Sequence, residues 1–177
     1  MAEHYFIDGY NVLHRSTSLK QRADEDLESA REALVDRVAQ YCASSGARAT
    51  IVFDGQGPRQ ERVSNVRGAA GLDLIYAAAT KSADAIIERA IYQLPHRREA
   101  IVVSGDRGIT DLCIGLGALA MTPDAFLRTI TDETLRIRAK VERDRPDTQI
   151  ARVEDGLDAS ARERLETLRR RLEREDR

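Results

Sequence analysis

The chain has 177 residues, 42% of them hydrophobic, enough for one core of domain size and too apolar for a wholly disordered chain. Its 28 basic and 30 acidic residues leave a net charge of −2, which excludes bulk attraction as the means of holding a polyanion, so any nucleic acid must meet a local patch. Cys42 and Cys113 lack a CxxC spacing or a neighbouring His, which fits a reduced compartment better than a disulfide scaffold or a zinc site.

In chain order, Tyr5-Phe6-Ile7 is an apolar run that stops at Asp8-Gly9-Tyr10-Asn11. Leu27, Ala30, Leu34, Val38 and Tyr41 step by three or four and predict a helix ending before Ser44-Ser45-Gly46. Ala49 to Phe53 reads as a strand that again ends in Asp-Gly, at Asp54-Gly55, and a further apolar run spans Leu72 to Ala78. The stretch between them, from Gly55 to Gly71, reads as a long loop carrying Arg59, Arg62 and Arg67. Ser82 is the expected N-cap of a helix that buries Ile86, Ile87, Ala90, Ile91 and Leu94.

Ala100 to Val103 is a continuous apolar strand, as expected of one buried on both faces, and it runs into Ser104-Gly105-Asp106. A helix through Ile109, Leu112, Cys113 and Leu116 and a short strand from Ala118 to Met121 follow. Thr122-Pro123-Asp124 then reads as N-cap, first-turn proline and first-turn acid of another helix. The last 50 residues hold 14 bases and 13 acids. Ile130, Thr134, Ile137 and Val141 mark a helix there that Pro146 stops, and a capping box at Ser160 and Glu163 opens a second one with Leu165, Leu168 and Leu172. Short strands alternating with helices predict an α/β fold with a mainly parallel sheet. The N-terminus lacks a basic region followed by an apolar run, and no apolar stretch approaches about 18 residues, so secretion and membrane spanning are not expected and a cytoplasmic location is.

The position of the acids is the informative feature. In an open parallel sheet, ligands bind outside the carboxyl ends of the strands where strand order reverses. Asp8, Asp54 and Asp106 each follow a predicted strand, which places all three at that edge. Asp84 joins them from the first turn of its helix, with Glu88 one turn later on the same face and Asp111 within the helix after Asp106. Gathered carboxylates repel one another and favour a cation. Hard ions such as Mg²⁺ prefer such oxygen donors, and an ion held there activates water against a phosphodiester. Each acid also has a plain reading: Asp-Gly is a common turn, and an acid in a first helical turn suits the helix dipole. The loop arginines Arg59, Arg62 and Arg67 start beside Asp54 and are candidate contacts for a nucleic-acid backbone.

Four segments, Ile7-Asp8-Gly9-Tyr10-Asn11, Val52-Phe53-Asp54-Gly55, Ser82-Ala83-Asp84-Ala85-Ile86-Ile87-Glu88 and Val103-Ser104-Gly105-Asp106, in that order and spacing, resemble the YacP-like branch of the NYN domains, relatives of the PIN-domain nucleases. The resemblance covers residues 4 to 130, and the charged tail also looks like that branch. It implies a three-layer, PIN-like α/β/α sandwich, with a nuclease domain at 1–130 and a charged helical extension at 131–177 that packs on the domain or on a partner. It implies metal-dependent endoribonuclease activity, with Asp8, Asp84 and Asp106 as ligands of Mg²⁺ or Mn²⁺. Asn11 then matches the residue that orients the first acid, Ser104 the small hydroxyl before the last, and Glu88 and Asp111 a second tier. The implied substrate is single-stranded RNA, with messenger RNA on the ribosome as the family's association. One departure is Gly105, which separates the hydroxyl of Ser104 from Asp106 where the family more often has Ser or Thr directly before the acid.

Two rivals are distinguishable from the sequence. Gly105 to Asp111 fits the GDxxxD acidic motif of haloacid-dehalogenase-type phosphatases, but that chemistry needs a nucleophilic Asp two residues before the acid of the first motif. Asp8 is preceded there by Phe6, which cannot attack phosphorus. The second rival is a catalytically silent RNA- or ribosome-binding adaptor on the same fold, and retention of Asp8, Asp84 and Asp106 argues against it.

Overall fold

The computed structural model describes residues 3–144. Six strands, β1 (His4–Asp8), β2 (Arg48–Phe53), β3 (Glu61–Ser64), β4 (Leu72–Tyr76), β5 (Ala100–Val103) and β6 (Leu119–Met121), form one sheet in the order β3-β4-β2-β1-β5-β6. All neighbours are parallel except β3, which runs antiparallel to β4. The helices are α1 (Gly9–Arg15), α2 (Thr17–Glu25), α3 (Leu27–Ser45), α4 (Ala83–Tyr92), α5 (Arg107–Gly115) and α6 (Pro123–Asp144). From β1 the chain builds outward to β2 and β4, then crosses back to β5 on the other side. Strand order therefore reverses between β1 and β5.

Two cores follow from the alternation of side chains along each strand. Tyr5, Ile7, Ile51, Phe53, Leu74, Ile101 and Val103 face one side and pack with α1, α2, α3 and α6, the last through Phe126 and Ile130. Phe6, Val52, Ile75 and Val102 face the other and pack on α4 and α5, through Ile87, Ile91, Ile109 and Cys113. The result is the three-layer α/β/α sandwich that the family resemblance implies. Contacts group Met1–Arg138 into one compact unit, and α6 runs unbroken through the boundary expected at 130. Pro146 and the helix expected around 160–172 lie outside the described residues.

Two segments depart from expectation. Residues 9–25 hold two short helices that the periodicity does not reveal, because each has only one or two buried anchors, Val12 and Leu13 in α1 and Leu19 in α2. Both start instead at side-chain caps, Asp8 on the Asn11 N–H and Ser16 on the Leu19 N–H. The stretch 55–71 is not all loop: it contains β3 and a 3₁₀ turn at Val66–Gly68. All four residues of β3 are exposed, so an edge strand without a buried face leaves no alternation to read.

Candidate active site

Asp8 ends β1 on the Phe6 side of the sheet, the side that carries α4 and α5. Its Oδ1 accepts the Asn11 N–H at 3.0 Å, which both caps α1 and fixes the carboxylate. Gly9 is required at the next position because a Cβ there would lie 2.3 Å from the Phe53 ring. Asp54 follows β2, and its Oδ1 accepts the Ala83 N–H at 2.7 Å, tying the end of the strand to the start of α4. That bond sets Asp84 in the first turn of α4 at the same edge, beside the Ser82 cap.

Asp106 caps α5, its Oδ1 accepting the Gly108 N–H at 2.6 Å. The loop before it is held from two directions. Asn11 Oδ1 accepts the Gly105 N–H at 2.7 Å, and the buried Ser104 Oγ accepts the Asp106 N–H at 3.1 Å. A Cβ on Gly105 would stand 2.8 Å from Asn11 Oδ1 and 3.2 Å from Arg15 Nε. The intervening glycine is thus what lets Asn11 cross the switch point from β1 to the β5 loop. The Ser104 hydroxyl orients Asp106 through the backbone.

Electrostatics shows which acids the fold gathers. Burial pushes the Asp8 carboxyl up from 3.8 to about 6; the Asn11 N–H opposes this, and the charges of Asp84, Asp54 and Asp106 add to it. Asp84 is also raised, by burial and then by Asp106 and Asp54. Asp8, Asp54, Asp84 and Asp106 are therefore one electrostatic cluster. Glu88 lies one turn after Asp84 on α4, and burial followed by the charges of Glu88 and Asp84 pushes the Cys113 thiol up to about 11. Asp111 is exposed within α5, and no hydrogen bond or ion pair among the described residues draws it to the others.

The donor set fits a hard divalent cation. All four groups are carboxylates, and Asp8, Asp54 and Asp106 each have Oδ1 fixed by a backbone N–H, which leaves Oδ2 as the free ligand. Among the described residues, no three acid, imidazole or thiol groups already stand at ligating distance of one point; the like charges stand apart, and Asp84 carries no hydrogen bond that would resist its turning inward. Cys42 and Cys113 are free, buried thiols, both pushed up to about 11, chiefly by burial, so neither supplies a thiolate nucleophile. His4 is lowered to about 4, by burial first and then by Arg48, and shares a hydrogen bond with Thr50 Oγ1.

The antiparallel turn of β3 sorts the loop arginines. Arg59 precedes it and stays at the carboxyl edge, lining a cavity of about 620 Å³ with Asp54, Tyr10, Arg31 and Tyr76. Arg62 is carried back along the sheet and pairs with Asp73 at 2.6 Å. Arg67 lies against α3, 2.9 Å from Asp36 and 3.8 Å from Glu32. Sequence reasoning missed Arg31 and Tyr76. The signal for the first was an arginine four residues after Leu27 on the apolar side of α3, and for the second an aromatic at the carboxyl end of a strand, in register with Phe53.

Comparison with known proteins identifies the family and the fold. A family model described as the YacP-like NYN domain matches residues 5–170. The YacP protein of Bacillus subtilis (strain 168) is 27% identical over 157 residues, covering 85% of this chain and 90% of its own. Two crystal structures of Rae1 (YacP) from Bacillus subtilis share the fold. The first, of a point mutant, has a TM-score of 0.68 at 21% identity and covers 94% of this chain and 99% of its own. The second has a TM-score of 0.62 at 20% identity, covering 98% and 96%.

Proposed function

The chain belongs to the YacP-like NYN domain family, and on that premise we propose that it is a metal-dependent endoribonuclease acting on single-stranded RNA. One observation carries the reading: four carboxylates from four different segments lie at the carboxyl edge of the sheet in a nuclease-like fold, close enough to perturb one another, three of them with one oxygen fixed by a backbone N–H and the other free. A structural role needs only the fixed oxygens. The free ones, held against mutual repulsion, suit a cation, which in turn takes a phosphate.

Asp8, Asp84 and Asp106 would hold Mg²⁺ or Mn²⁺, with Asp54 and Glu88 alongside. When bound, such an ion lowers the pKa of its water and offsets the charge that builds on the phosphate in the transition state. The chain's own part is positional. Asn11 links the two loops that carry Asp8 and Asp106, Ser104 sets the Asp106 backbone, and Asp54 docks the helix that carries Asp84. Arg59, which lines the cavity, would meet the RNA backbone, since a guanidinium fork matches phosphate oxygens. Translated messenger RNA on the ribosome is the substrate setting that the family suggests, and a cytoplasmic location accords with it.

The test is incubation of unstructured RNA, with and without ribosomes, in Mn²⁺ or in EDTA, comparing the natural chain with Asp8→Asn. Cleavage that needs both the metal and Asp8 is the expected result. Equal cleavage by the variant identifies a contaminating nuclease and defeats the assignment; metal-independent RNA binding without cleavage points to the adaptor.

A further inference from the structure

The 620 Å³ cavity beside Asp54 has a construction that the carboxylate chemistry does not require. Its volume lies in the range of small-molecule sites, about 300–1,000 Å³. Tyr10 and Tyr76 stand in its wall with the Arg31 guanidinium between them, 6.0 Å from each ring centroid. Both rings are backed by the fully buried Phe53, at centroid distances of 5.2 and 5.8 Å. Arg31 is held on its far side by Glu28 at 3.2 Å. Its Nε is buried without a hydrogen-bond partner among the described residues, an unpaired donor that costs folding free energy. Arg59 and His14 add cationic or hydrogen-bonding groups at the mouth.

Such a wall suits a flat, π-faced group that carries an anion. Aromatic rings and a guanidinium plane stack an unpaired base whatever its identity, and the neighbouring cations take its phosphate. The cavity adjoins the acid cluster at Asp54, which belongs to both. We propose that this cavity is a nucleotide subsite in which Tyr10, Tyr76 and Arg31 hold one unstacked base of the RNA next to the bond presented to the carboxylates. The proposal rests on the ribonuclease reading above and adds the reason for a single-stranded substrate: a base in a helix cannot enter a walled cavity without leaving its stack. Tyr10, Tyr76 and Arg31 are thereby positioning residues for the RNA rather than parts of the metal site.

The experiment separates the two readings by measuring binding without turnover. The full chain is titrated in EDTA into a fluorescein-labelled unstructured RNA and followed by anisotropy, with a duplex of the same sequence as comparison. Arg31→Met, which keeps the packed stem and removes the charged plane, is expected to weaken single-strand binding about tenfold. In Mn²⁺ it should raise KM by a similar factor while kcat changes by less than about threefold. A 4-thiouridine RNA irradiated on the natural chain is expected to crosslink to the peptides that contain Tyr10 or Tyr76, a readout that decides the matter even where the variant does not fold. Crosslinks elsewhere, or an Arg31→Met affinity within about twofold of the natural chain while cleavage still needs metal and Asp8, overturn the subsite and leave the nuclease reading standing. Crosslinks at these tyrosines without any metal-dependent cleavage do the reverse.

Discussion

Asp8→Asn should stabilise the folded chain at neutral pH in the absence of divalent metal while removing activity. The folded-state Asp8 value lies near 6 against an ordinary 3.8, so the folded chain keeps its proton to higher pH than the unfolded one. Stability from this group is full below about pH 4 and is lost as pH rises through 6, because the unfolded chain then ionises at lower cost. At about 1.4 kcal/mol per pH unit the loss amounts to as much as about 3 kcal/mol above pH 6. Asn keeps the oxygen that accepts the Asn11 N–H and carries no charge to be buried beside Asp54, Asp84 and Asp106. In a chain of this size about 3 kcal/mol corresponds to a rise in Tm of about 6–12 °C. The assay is thermal unfolding by circular dichroism in EDTA at about pH 8 and about pH 4. The variant should melt higher at the first and together with the natural chain at the second. Added Mn²⁺ should raise the natural chain's Tm and leave the variant's almost unmoved. A variant that melts lower than the natural chain at pH 8, or by the same margin at both pH values, would refute the account of Asp8 as a buried, repelled carboxylate.

Cleavage should rise with pH through about 6 as Asp8 ionises, and its midpoint should move to lower pH as Mn²⁺ is increased, since cation and proton compete for one carboxylate; a midpoint independent of metal concentration would count against Asp8 as a ligand. Asn11→Ala strands the Gly105 N–H and should cost about 1–3 kcal/mol of stability by denaturant melt, with a fall in cleavage at saturating metal. Gly105→Ala places a methyl against Asn11 and should cost a similar amount, about 1–3 kcal/mol. Arg59→Ala should weaken RNA binding several-fold at low salt and lessen its salt dependence. Arg62→Ala, which breaks an exposed pair with Asp73, should leave binding unchanged by the same titration and alter stability by no more than about 1 kcal/mol.

The buried strands and long helices were legible because burial writes a period into the sequence. β5 reads as a strand from its unbroken Ala-Ile-Val-Val run, and α3 from the stepping of Leu34 and Val38. The placement of Asp8, Asp54, Asp84 and Asp106 was legible too, since a parallel sheet brings strand ends to one edge. By itself, then, the sequence determined the α/β class, the family and the sheet edge at which the acids lie. The fate of the arginines was not legible. Arg59, Arg62 and Arg67 share a short stretch and the same chemistry, and the reversal at β3 alone sends one to the carboxyl edge and the others to Asp73 and Asp36. Tyr10, Arg31 and Tyr76 come from α1, α3 and β4, distant in the chain and without any shared spacing. Local periodicity reports which face of an element is buried, whereas a cavity wall depends on how separate elements are stacked; that is why the tertiary structure alone assembled it.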